Sequence, residues 1–76
     1  MVSAYIFIET DHGKARLVND AIRKLPFVKR SHPVTGPYDL IAFVEVLDLA
    51  VLGEDVVTKI QSIPGVVKSL TNIVVD

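Results

Sequence analysis

The sequence predicts an α+β fold: a four-stranded antiparallel sheet with two helices packed on one face. Three observations point there. Four short stretches rich in β-branched and aromatic residues alternate with two amphipathic stretches in the order βαββαβ. The second of those strands contains Pro33, which has no N–H to give to a ladder and so belongs at a sheet edge. Finally, 50% of the 76 residues are apolar, which is more than a small two-layer core needs.

The elements follow in order. VSAYIFIET, residues 2–10, is β-branched and aromatic and reads as the first strand. Asp11 then offers a cap, and Ala15, Val18, Ala21, Ile22 and Leu25 recur at helical spacing, so residues 12–24 form an amphipathic helix that Pro26 ends. Phe27 to Thr35 is the second strand. Thr35-Gly36-Pro37 is a turn, because glycine supplies unusual backbone angles and proline fixes φ. Residues 38–47 return as a third strand. Asp48 caps a second helix that directs Leu49, Leu52, Val56, Ile60 and Ile63 to the core. Gly53 weakens the middle of that helix by about 1 kcal/mol relative to alanine and sets its first turn apart. Pro64-Gly65 stops it, and VVKSLTNIVV forms the last strand. Right-handed βαβ crossovers then order the sheet 4-1-3-2 with both helices on one face, the ferredoxin-like arrangement.

Helices cover one sheet face only, so the other should turn polar if it meets water. It does not. One face of the first strand reads Val2, Ala4, Ile6 and Ile8, and the other Ser3, Tyr5, Phe7 and Glu9. The third strand divides into Tyr38, Leu40, Ala42, Val44 and Val46 against Asp39, Ile41, Phe43 and Glu45. Small residues let a helix approach, so the alanine-containing sets face the helices. Tyr5, Phe7, Ile41 and Phe43 are left at the centre of the open face. Burying each is worth roughly 1.5–3 kcal/mol, enough to drive a two-fold homodimer with its sheets face to face, a dimeric α+β barrel.

Composition excludes several classes of function. There is no cysteine, hence no disulfide, cysteine-based zinc site or thiol catalysis, and a small domain without such staples fits the cytoplasm. No apolar run approaches the roughly 20 residues of a membrane-spanning helix. Eight basic residues against nine acidic ones give no electrostatic footprint for nucleic acid or anionic lipid. Arg23, Lys24, Lys29 and Arg30 read as a solvated edge or a weak basic patch. His12 and His32 stand in different elements with no ligand at i+3 or i+4, so no metal site and no cofactor is expected. The serines sit in no nucleophile-elbow context, and the four glycines are isolated rather than gathered into a phosphate loop.

The turn at residues 35–39 is what remains. Its glycine exposes backbone N–H and C=O groups and Asp39 adds a carboxylate, which together suit the ammonium and carboxylate of a free amino acid. An aspartate after a turn also serves commonly as a backbone cap. Ser69 and Thr71 place two hydroxyls on one face of the last strand.

Gly36-Pro37-Tyr38-Asp39 before an apolar strand, then Asp48, then Ile63-Pro64-Gly65-Val66 and Ser69-x-Thr71, resemble the effector-binding domain of Lrp/AsnC transcriptional regulators, the RAM domain. The resemblance covers essentially all of residues 1–76 as one domain. Because the sequence opens directly in the first strand, it looks like the stand-alone form without a helix-turn-helix. The resemblance implies dimers with facing sheets, rings of dimers (often octamers), and an amino-acid effector bound between dimers near the hairpin. It also implies co-assembly with a full-length regulator in control of amino-acid metabolism or transcription. Residue by residue, it makes Gly36, Tyr38 and Asp39 the leading ligand contacts. Ser69 and Thr71 would reach the cleft from a neighbouring subunit, and Thr35 and His32 would line it. Pro37 stands where the family often has a polar residue and removes one backbone donor. Three other readings share the topology: a small dimeric α+β-barrel enzyme of monooxygenase or isomerase type, an assembly module without a ligand, and the amino-acid-binding ACT domain.

Overall fold

In the computed structural model, which describes residues 1–75, the chain runs β1 (Val2–Thr10), α1 (Ala15–Arg23), β2 (Val28–Pro33), β3 (Leu40–Val46), α2 (Leu49–Val51), a π-helical segment (Leu52–Val56), α3 (Val57–Gln61) and β4 (Val66–Ile73). The sheet order is β2-β3-β1-β4, every pairing is antiparallel, and β2 with its Pro33 lies at an edge. This is the ferredoxin-like order read from the sequence.

Alternation decides the core. Ala4, Ile6 and Ile8 of β1 lie opposite Val44, Ala42 and Leu40 of β3, and all six are buried beneath the helices. From above, α1 contributes Val18 and Ile22, while the second helical stretch contributes Leu52, Val56 and Ile60. Those last three recur every four residues, a step that overshoots the 3.6-residue α-turn. The wider π-helical turn takes up the excess and keeps all three on the sheet. Gly53 sits inside that segment, so the weak middle expected of this helix is a change of helical winding. Asp48 caps as expected, its Oδ1 accepting from the Val51 N–H at 3.0 Å.

Asp11 does not cap α1. Its carbonyl accepts from the Lys14 N–H at 3.0 Å, closing a turn that holds it away from a helix beginning only at Ala15. Between α1 and β2 lies a buried polar pair, with the Ser31 hydroxyl donating to Asn19 Oδ1 at 2.6 Å. Strands β2 and β3 are shorter than expected, because the connection at residues 34–39 leaves the ladder. There the Val34 N–H donates to the Asp39 carbonyl, and the Asp39 N–H donates to the Ile8 carbonyl.

Candidate functional site

The shortened strands shape the site. Freed from the ladder, residues 34–38 arch over the end of the open sheet face. They enclose a groove of about 490 Å³ lined by Phe7, Val34, Thr35, Gly36, Pro37, Tyr38 and Ile41. That volume lies in the usual range for small-molecule sites, and the lining is mainly apolar, with Thr35 and Tyr38 its two polar side chains.

Tyr38 departs from the sequence reading. Continued alternation from Leu40 puts it on the helix side, yet its ring packs against Phe7 at 5.6 Å on the open face. Strand β3 starts only at Leu40, so the two-residue period does not extend back to Tyr38. The open face is otherwise as read. Tyr5 lies opposite Phe43 with ring centroids 4.9 Å apart, and Phe7 lies opposite Ile41. Tyr5 remains 40% exposed and Leu70, opposite Phe7 on β4, 45% exposed, so the apolar surface is continuous and uncovered.

Asp39 turns elsewhere. Its Oδ2 accepts from the Thr10 N–H at 2.8 Å, capping the end of β1 where the β1–β4 register shifts. Within the single chain it therefore acts as the backbone cap that a post-turn aspartate commonly is. His32 lies opposite Ile41 at the rim and is exposed. Ser69 and Thr71 lie opposite Ile8 and Ile6, on the helix-covered face of the other edge strand, and Ser69 Oγ accepts from Gln61 Nε2 at 3.3 Å. One chain thus brings Thr35, Gly36 and Tyr38 together, with Asp39 and His32 adjacent. It does not bring Ser69 and Thr71 to them.

Two lining residues, Val34 and Pro37, are not among the ligand contacts that sequence reasoning selects, although apolar residues in a turn are a signal in themselves. Arg30 reads from sequence as part of a solvated edge, but its guanidinium lies 4.5 Å from the Phe43 ring centroid. Arg30 lies opposite Phe43, on the same side of β2 as His32, and the register shift falls before it. Among the described residues no three His, Cys, Asp or Glu side chains gather as a metal site would require. Among them too, no helix is long and apolar enough to cross a membrane.

The fold is shared widely. TTHA0845 of Thermus thermophilus superposes with a TM-score of 0.93 at 33% identity, over 100% of this chain and 95% of that one. PHS023 of Pyrococcus horikoshii gives 0.91 at 36% identity, over 100% and 92%. The transcriptional regulator NMB0573 of Neisseria meningitidis, solved as a complex with L-Met, gives 0.87 at 23% identity, over 99% of this chain and 50% of that one. At that identity the last likeness establishes fold alone. No curated protein sequence matches significantly. The family model for the Lrp/AsnC ligand binding domain matches residues 3–76, and the chain belongs to that family.

Proposed function

We propose that this chain is a non-catalytic cytoplasmic sensor: it binds an amino acid in the groove under residues 34–38 and converts occupancy into assembly. The observation that carries this reading is that Phe7 and Ile41 belong to both the groove and the uncovered sheet face. A second copy laid on that face narrows the groove mouth, so ligand and partner share residues and their binding is linked. The family's ligand-binding role supports the same reading. So does the L-Met complex of NMB0573, a protein with this fold.

The chemistry of the lining narrows the ligand. Phe7, Val34, Pro37 and Ile41 offer no partner to a charged side chain, whereas Gly36 exposes backbone N–H and C=O groups to an amino acid's two termini. The preferred effector is an amino acid with an apolar side chain. Asp39 supplies a carboxylate near its ammonium, and Ser69 and Thr71 of a neighbouring copy supply hydroxyls. Homodimers with facing sheets then build a ring, and a full-length regulator of the same family co-assembles through the same surfaces. Regulation of amino-acid metabolism or of transcription follows from which partner the ring recruits.

Calorimetric titration with each of the common amino acids tests this. Saturable heats are expected for apolar side chains, and none for aspartate or lysine. Heats for charged amino acids alone, or for none, would overturn the reading.

A further inference from the structure

A second groove lies at the opposite end of the edge strand, where α1 runs into β2. It measures about 310 Å³ and is lined by Arg23, Val28, Lys29 and Arg30. Two of its three cations are held in place rather than left to wave in solvent. Arg23 Nε donates to the Ser31 carbonyl at 2.9 Å on β2, and the Arg30 guanidinium is fixed over Phe43 at 4.5 Å. The register shift between Val28 and Arg30 gathers Lys29 and Arg30 at this point.

Along the chain, the charge of this segment is one-sided. Residues 21–38 contain Arg23, Lys24, Lys29 and Arg30 and no aspartate or glutamate. The other four basic residues of the chain stand against nine acidic ones, so a net charge of −1 conceals a basic end on an otherwise acidic molecule. The nearest carboxylate on the neighbouring strand, Glu45, accepts from the Ser3 hydroxyl on the far side of β3, so the positioned cations can still concentrate anions, and planar guanidinium groups match the tetrahedral oxygens of phosphate.

We propose that this groove binds the phosphate of a small soluble molecule of the pyrophosphate or nucleoside-monophosphate class. Size and field both favour a small ligand over a nucleic acid. A strand that extends beyond the groove carries its further phosphates over the acidic remainder of the surface and is repelled there. The groove would give the protein a second effector, chemically unlike an amino acid and bound well away from the 34–38 turn.

The test is titration of the whole chain with pyrophosphate, with AMP and with a single-stranded oligothymidylate, in chloride buffer at constant ionic strength. Saturable binding of pyrophosphate or AMP is expected, with a dissociation constant below about 1 mM. Lys29→Glu should weaken it at least tenfold. Lys59→Glu, an equal charge change at an exposed site on α3, should leave it within twofold. A melting temperature for both variants close to that of the parent shows that folding is not the cause. Equal weakening by Lys59→Glu, tighter binding of the oligonucleotide than of either small anion, or no saturable binding up to several millimolar would each overturn the proposal.

Discussion

Replacing Gly65 by alanine should destabilise the protein more than the same change at any other glycine. Gly65 closes the turn into β4 with φ +102°, a conformation that residues with a Cβ rarely adopt, and holding one there costs about 1–3 kcal/mol. Space is also lacking. A Cβ at Gly65 would stand 2.9 Å from Val18 Cγ2 and 3.3 Å from Lys14 Cβ. Val18 is fully buried under the sheet and cannot swing away, so overpacking adds about 1–3 kcal/mol. The Gly65 carbonyl also accepts from the Asp11 N–H at 2.8 Å, tying this turn to the start of α1. Together the two terms come to about 2–6 kcal/mol, against a total stability of about 4–11 kcal/mol for a chain of 76 residues.

Gly36 is the matched control, since it too has positive φ (+143°) but nothing within 4 Å of an added Cβ. Gly36→Ala therefore meets strain alone. Gly65→Ala should melt at least about 5 °C below it, given roughly 4–8 °C per kcal/mol for a domain of this size. Thermal unfolding followed by circular dichroism, at one fixed protein concentration so that any assembly contributes equally, gives the comparison. Equal midpoints for the two variants would refute the close contact with Val18.

Other substitutions probe other links. Gly53→Ala, in a helical segment with open space around it, should stabilise by about 0.5–1 kcal/mol in urea unfolding. Ser31→Ala removes the hydroxyl facing buried Asn19 and should cost about 1–3 kcal/mol by the same method. Asp39→Asn keeps an oxygen for the Thr10 N–H but removes the charge. Its midpoint should stay within a few degrees, while amino-acid affinity measured by calorimetry should fall about 10–100-fold, the loss of a charge-assisted hydrogen bond. Phe43→Asp places a charge at the centre of the open face, and sedimentation should then show a single chain, where a dimer is expected of the parent.

How much of this is legible in the sequence depends on the period. In β1 and β3 the alternation is unbroken, so Tyr5, Phe7, Ile41 and Phe43 can be placed on the open face from sequence. Pro33 likewise marks its edge, because a missing N–H is a local fact. Where the ladder is interrupted the period fails. Tyr38 precedes the first residue of β3 and so reaches the open face against the simple count, and a register shift at the start of β2 puts Val28 opposite Val44 on the helix-covered side while Arg30 lies opposite Phe43 on the open one. Asp11 and Asp48 each stand before a helical stretch, yet only Asp48 caps, because a turn intervenes after Asp11. Asp39 shows a further limit. Cap and ligand contact need the same residue type after a turn, and the bond to Thr10 forms across the fold, at a separation of 29 residues. Ser69 and Thr71 do share one face, as their spacing implies, but it is the helix-covered face of the far edge strand. That placement makes a neighbouring copy necessary if they are to meet the turn.

The central claim is that an amino acid bound beside the open face drives assembly, and native mass spectrometry of the whole chain tests it most directly. At micromolar concentration without ligand, a dimer is expected. Saturation with an amino acid of apolar side chain should hold that dimer together at dilutions where the free protein falls to single chains, and aspartate should not. A single-chain mass at every concentration, or a mass distribution that no amino acid changes, would contradict the claim.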